Sequence, residues 1–187
     1  MFKLTTVSGA LVALMTATVL SGCGGGAETV SGHPTASCGA QTTLDAAGKA
    51  KVADAAAEYA RTIKAFNLAN DAYHDVVDKS FPTDPPDVPA SFRAAAGAIS
   101  VANTKEVAAL RAYGSWPQSV KPCIDQFIAQ KVSLADIHHQ MSVAAPGWDS
   151  WDAGDTRSNV GTKETARLSG LIRARLGLPP QTPRPTG

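Results

Sequence analysis

Between residues 52 and 77 the chain repeats one face at alternating spacings of four and three: Val52, Ala56, Tyr59, Ile63, Phe66, Asn70, Tyr73 and Val77. That rhythm follows one side of an α-helix and is out of step with the two-residue period of a strand. Only Asn70 interrupts the apolar run. A stripe this regular has to be covered, so it demands partner helices. Thr43 is placed to cap the start, ahead of Leu44. The spacing predicts a helix over 44–79, roughly 54 Å long from its rise per residue. Prolines at 82, 85, 86 and 89 forbid its continuation.

The same reading predicts a second helix from Pro89 to Tyr113, with Phe92, Ala95, Ala96, Ile99, Ala102, Val107 and Leu110 inward and Gly114 as its stop. A third is expected over 118–145, with Val120, Ile124, Phe127, Ile128, Leu134, Ile137 and Met141 inward; Pro122 fits only a first turn. Residues 146–158 read as a loop. A short last helix over 159–176 carries Val160, Leu168, Leu171, Ile172 and Leu176, and Gly177 with Pro179 and Pro180 ends it. Aromatic residues are only 6% of the chain, which suits close-packed helices better than sheets. The expected fold is all-α: an up-down bundle of three long helices and one short one over residues 43–180, with a disordered tail at 181–187.

The N-terminus has a different character. Lys3 is followed by a mildly apolar stretch from Val7 to Leu20, and the first acid is Glu28. That stretch is too short to span a bilayer, which takes about 20 residues. It has the charged start and short apolar middle of a secretory signal. It ends in Leu20-Ser21-Gly22-Cys23, which resembles the lipobox of bacterial lipoproteins at all four positions. The resemblance implies a diacylglycerol thioether on Cys23, removal of residues 1–22, and palmitate-like acyl chains seated in the bilayer. Two chains anchor stably where one is marginal. The expected location is the cell membrane, lipid-anchored on its extracytoplasmic face. Residues 23–42, beginning Gly24-Gly25-Gly26, read as a flexible tether.

Seventeen basic residues face sixteen acidic ones. With Lys3 in the removed segment the mature chain is formally neutral, which gives no basic surplus for nucleic acid. Setting Cys23 aside leaves Cys38 and Cys123. An even pair in an oxidising compartment reads as a disulfide. Cys38 precedes the first helix and Cys123 opens the third, so an up-down bundle puts both at the same end.

Chemistry is sparse in the sequence. It carries no G-x-S-x-G, H-E-x-x-H or phosphate-binding glycine motif. Asp71, His74 and Asp78 share one helical stripe, and His138 lies late on the parallel third helix. Imidazole with carboxylate is a transition-metal set. Asp149, Asp152 and Asp155 surround Gly154 without the spacing of a calcium loop. Trp148 and Trp151, with Trp116, offer an aromatic recognition surface. Asn70 marks a polar pocket or fixes helix register. The function expected is non-enzymatic and without a cofactor: a tethered bundle that binds a cell-envelope protein or surface ligand. The alternative is a metal-binding bundle using Asp71, His74, Asp78 and His138.

Overall fold

Four helices form the domain: α1 (Ala46–Val77), α2 (Ala90–Tyr113), α3 (Lys121–Val143) and α4 (Trp148–Arg175). The computed structural model describes Cys38, residues 46–78 and residues 85–181, and no strand occurs among them. The signal segment, the Cys23 lipidation site, the Thr43 cap, the tether apart from Cys38 and the tail past Gln181 lie outside the described residues.

Proline and glycine set the helix ends. Pro89 caps α2 and its carbonyl accepts from the N–H groups of Phe92 and Arg93. Gly114 closes α2 at φ +62°, a left-handed conformation that favours glycine. The Pro117 carbonyl accepts from Val120 and Lys121 N–H, and Pro122 sits in the first turn of α3. At the end of α4, Gly177 takes φ +68° while the Leu178 N–H reaches back to the Arg173 carbonyl at 2.9 Å.

Cross-helix pairs fix the direction of each element. Ser100 with Ala135 and Glu106 with Lys131 run α2 antiparallel to α3. Met141 beside Gly154 and Leu134 beside Gly161 do the same for α3 and α4. Tyr59 with Phe127, Phe66 with Lys131 and Tyr73 with His138 place α1 parallel to α3. The topology is therefore up-down-up-down.

One end carries the Cys38–Cys123 disulfide. There the Arg175 guanidinium donates to the carbonyls of Ser119 and Cys38, at 2.8 and 2.7 Å. At the other end, the Val88 N–H donates to the Pro146 carbonyl and the Trp148 indole N–H to the Pro85 carbonyl.

The last helix departs from the sequence reading. It is not short: it begins at Trp148 and runs 28 residues, longer than α2 or α3. The expected loop at 146–158 shrinks to the turn before Trp148. Gly154, read as a loop residue, is mid-helix because α3 and α4 touch there. A Cβ at Gly154 would lie 2.4 Å from Met141 Cγ, and one at Gly161 would lie 2.9 Å from Leu134 Cδ2. Tertiary contact overrides the low helix propensity of glycine. Val160, expected inward, is 67% exposed, because the buried face of α4 is instead Trp151, Gly154, Ser158, Thr165, Leu168, Ser169 and Ile172.

These glycines give opposite expectations. Gly154→Ala drives a methyl into Met141 and should destabilise the domain by about 1–3 kcal/mol. Gly170 has nothing within 4 Å of an added Cβ, so Gly170→Ala should stabilise by roughly 0.5–1 kcal/mol through helix propensity. Urea unfolding midpoints of the two variants, read against the parent, check both signs.

Candidate functional site

The apolar core is in two parts. One cluster, around Tyr59, Leu110, Ile124, Phe127 and Leu168, lies at the disulfide end. The other, around Phe92, Ile99, Met141 and Trp151, lies at the tryptophan end. Between them is a polar waist of Asn103, Glu106, Lys131, His138, Ser158 and Thr165, all buried.

The centre of the waist is an ion pair. Lys131 Nζ lies 2.8 Å from Glu106 Oε2, with side chains only 4% and 1% exposed. The ammonium also sits 3.2 Å from the Phe66 ring centroid and 5.3 Å from that of Phe127, so two ring faces replace part of its hydration. Burial pushes the Glu106 carboxyl up and the Lys131 ammonium down; their mutual attraction opposes both shifts. Glu106 Oε1 has no hydrogen-bond partner among the described residues. Asn103, 0% exposed, donates Nδ2–H to the Ile99 carbonyl at 3.0 Å, while its Oδ1 has none.

His138 is held neutral. Burial lowers its pKa from 6.5 to about 4, the Leu134 carbonyl opposing and the Lys131 and His74 charges adding to the effect. Its Nε2 is 3.0 Å from Ser158 Oγ, and Nδ1 has no well-formed hydrogen bond among the described residues. Tyr73 packs edge-on against His138, and its phenol is pushed up to about 12 by burial, with Asp155 and Asp78 adding to it.

This waist opens between α1 and α4, and its Glu106 also lines a second cavity of about 490 Å³ between α1 and α2. Helix α1 packs on α2, α2 on α3 and α3 on α4, while α1 and α4 meet mainly through side chains such as Tyr59 Oη donating to Ser169 Oγ at 3.0 Å. Between them is a cleft of about 470 Å³, within the range of small-molecule sites. Phe66, Asn67, Asn70, Tyr73 and His74 line it from α1, with Asp78 just past the end of that helix; Asn103, Lys131 and His138 lie at its floor; Trp148, Trp151, Asp152, Asp155, Ser158, Asn159, Thr162 and Thr165 line it from α4.

The structure treats the sequence candidates unequally. His74 Nδ1 meets Asp78 Oδ2 at 3.2 Å on the cleft rim. His138 lies on the floor, whereas Asp71 is exposed and outside the cleft lining. The four do not converge: among the described residues no three His, Cys, Asp or Glu side chains are grouped to hold a metal ion. Asp149, Asp152 and Asp155 fall on a continuous helix, so no calcium-type loop forms there. Trp148 and Trp151 do not make an exposed recognition surface. Trp151 is 4% exposed against Phe92, and Trp148 is half-buried with its N–H already bonded to Pro85. Trp116 is likewise buried, its indole N–H donating to the Leu110 carbonyl at 2.8 Å. Asn70 lines the cleft, as a polar pocket requires. Lys131, Glu106 and Asn103 were absent from the candidates, although each lies on the helical rhythm of its own buried face. No protein-family model, curated protein or solved structure matches this chain.

Two measurements probe the waist. Lys131→Met strands the buried Glu106 carboxylate and should cost about 3–5 kcal/mol, while adding Glu106→Leu should recover most of that loss. Urea unfolding across the double-mutant cycle reads the coupling. For His138 the unfolded chain takes up a proton first, at about pH 6.5, and the folded chain only at about 4. Its contribution is complete above pH 6.5 and is lost as pH falls towards 4, by about 3 kcal/mol in all. Stability against pH for the parent minus His138→Gln should show that slope and be flat above pH 7.

Proposed function

We propose that this chain is a bacterial lipoprotein, held by diacylglycerol on Cys23 at the extracytoplasmic face of the cell membrane. Its helical bundle works by non-catalytic binding, taking up an envelope ligand in the α1–α4 cleft. The cleft carries the reading: it is large enough for a small molecule, and buried polar groups without partners line its floor. Native interiors leave few such groups unsatisfied, and a bound ligand supplies the missing partners.

Supporting the location is the agreement between anchor and staple. The lipobox-like Leu20–Cys23 run points outside the cytoplasm, where a disulfide such as Cys38–Cys123 persists. Fifteen residues after the anchor, Cys38 is tied to the bundle end bearing Arg175. In this arrangement that end faces the membrane and the Trp148 end faces away. No helix among the described residues is long and apolar enough to cross a membrane.

Cys23→Ser should move the protein from the detergent phase to the aqueous phase on phase partitioning and abolish labelling by a palmitate analogue. For the cleft, the full chain in detergent is dialysed against an envelope extract beside Asn70→Trp, which fills the rim. Mass spectrometry should find a small molecule enriched by the parent and lost from the variant; no difference between them would remove the cleft reading.

A further inference from the structure

The cleft is chemically one-sided at its tryptophan end. Asp78, just past the end of α1, and Asp152 and Asp155 from α4 line it there. Asp78 is engaged by His74. Asp155 accepts from Asn159 Nδ2 at 2.9 Å, but that amide brings no charge. Burial holds the Asp155 carboxyl above the usual range, with the Asp152 and Asp78 carboxylates adding to the rise and Asn159 and His74 opposing it. Among the described residues the one lysine of the lining, Lys131, is already matched by Glu106 and lies seven residues down α3 from His138, about 10 Å away along the axis. Among the described residues, the acidic end therefore has no counter-charge in the lining beyond His74.

A second observation is independent of the carboxylates. Asn103 is buried and lines the same cleft, and its Oδ1 accepts no hydrogen bond. The Ser100–Ala135 and Glu106–Lys131 pairs bracket it, placing it between the levels of Ala135 and Lys131. An orphaned acceptor calls for an N–H or O–H donor. Tyr73, Trp148 and Trp151 supply aromatic surface near the acidic end, which favours a cation over an anion.

From this we propose that the cleft takes a small organic amine in its ammonium form, extended enough to carry a second hydrogen-bond donor to Asn103. The proposal rests on the cleft being the binding site. The ammonium sits between Asp152 and Asp155, and the far donor reaches Asn103 Oδ1.

Calorimetry on the full chain in detergent tests this with four probes of one chain length: cadaverine, pentylamine, pentanediol and glutarate. Cadaverine should bind with a Kd below about 1 mM. It should weaken roughly tenfold or more in Asp155→Asn and in the exposed-site variant Asp152→Asn. Asn103→Leu should weaken cadaverine and leave pentylamine unchanged. Thermal melting establishes that each variant is folded, and Asp152→Asn carries the test if either of the other variants is not. Pentanediol binding as tightly as cadaverine, or cadaverine binding unaltered in both Asp variants, overturns the ammonium assignment. A failure of all four probes, with a different compound still retained from envelope extract, overturns the amine class and leaves the cleft reading standing. Failure of the probes and of extract retention together removes both.

Discussion

The rest of the structure depends on how closely α4 lies on α3. Gly154 and Gly161 bring the two helices together at Met141 and Leu134, with no room for a Cβ at either glycine. A helix seated so deeply on one neighbour is drawn away from the other. Leu168 and Ile172 of α4 still join Tyr59 and Ile63 of α1 in one apolar cluster, but along the cleft α4 presents the buried Ser158, Thr165 and Ser169, which have too little apolar surface to draw α1 into full contact there. The bundle thus has three packed interfaces and one side bridged by side chains. The cleft is the consequence of small residues where a closed bundle would place Leu or Ile.

The same arrangement accounts for the charged pair inside. Taking Lys131 and Glu106 out of water is costly, and a buried ion pair is often no more stabilising than apolar residues of the same volume. Here the cost is offset by contact between the charges, by the Phe66 and Phe127 rings over the ammonium, and by the pair's position at the break between the two apolar clusters. Neutralising Lys131 internally also leaves the carboxylates of the cleft rim to set its polarity. Fold and proposed ligand preference therefore meet in one pair of residues.

Much of this was legible in the sequence. The four-three spacing from Val52 to Val77 gave the first helix, and the prolines and Gly114 gave the breaks. The cysteine positions agreed with the topology. The length of α4 was hidden because its buried face carries glycine, serine and threonine, so a hydrophobicity reading finds no stripe before Leu168. Gly154 looked like a loop for the same reason. The waist was hidden differently. Phe92, Ala96, Ile99, Asn103, Glu106 and Leu110 keep the four-three rhythm, as do Val120, Ile124, Phe127, Lys131, Leu134, His138 and Met141. Reading only the apolar members skipped the polar ones at their regular positions. A charge on the seam of one helix, matched by the opposite charge on the next, was the available signal. The spread of the proposed metal ligands was beyond the sequence, since it depends on helix rotation.

The proposed binding site requires that the α1–α4 side admit small solutes to the level of the waist while the layer beneath stays dry. Thr165 and Leu168 are three residues apart on α4 and both are buried, yet only Thr165 lines the cleft. The direct measurement is the rate at which a small cationic thiosulfonate modifies Thr165→Cys and Leu168→Cys in the native, disulfide-intact protein. Steady modification of Thr165→Cys is expected under native conditions, and modification of Leu168→Cys only upon unfolding. Equal protection of the two thiols would contradict it.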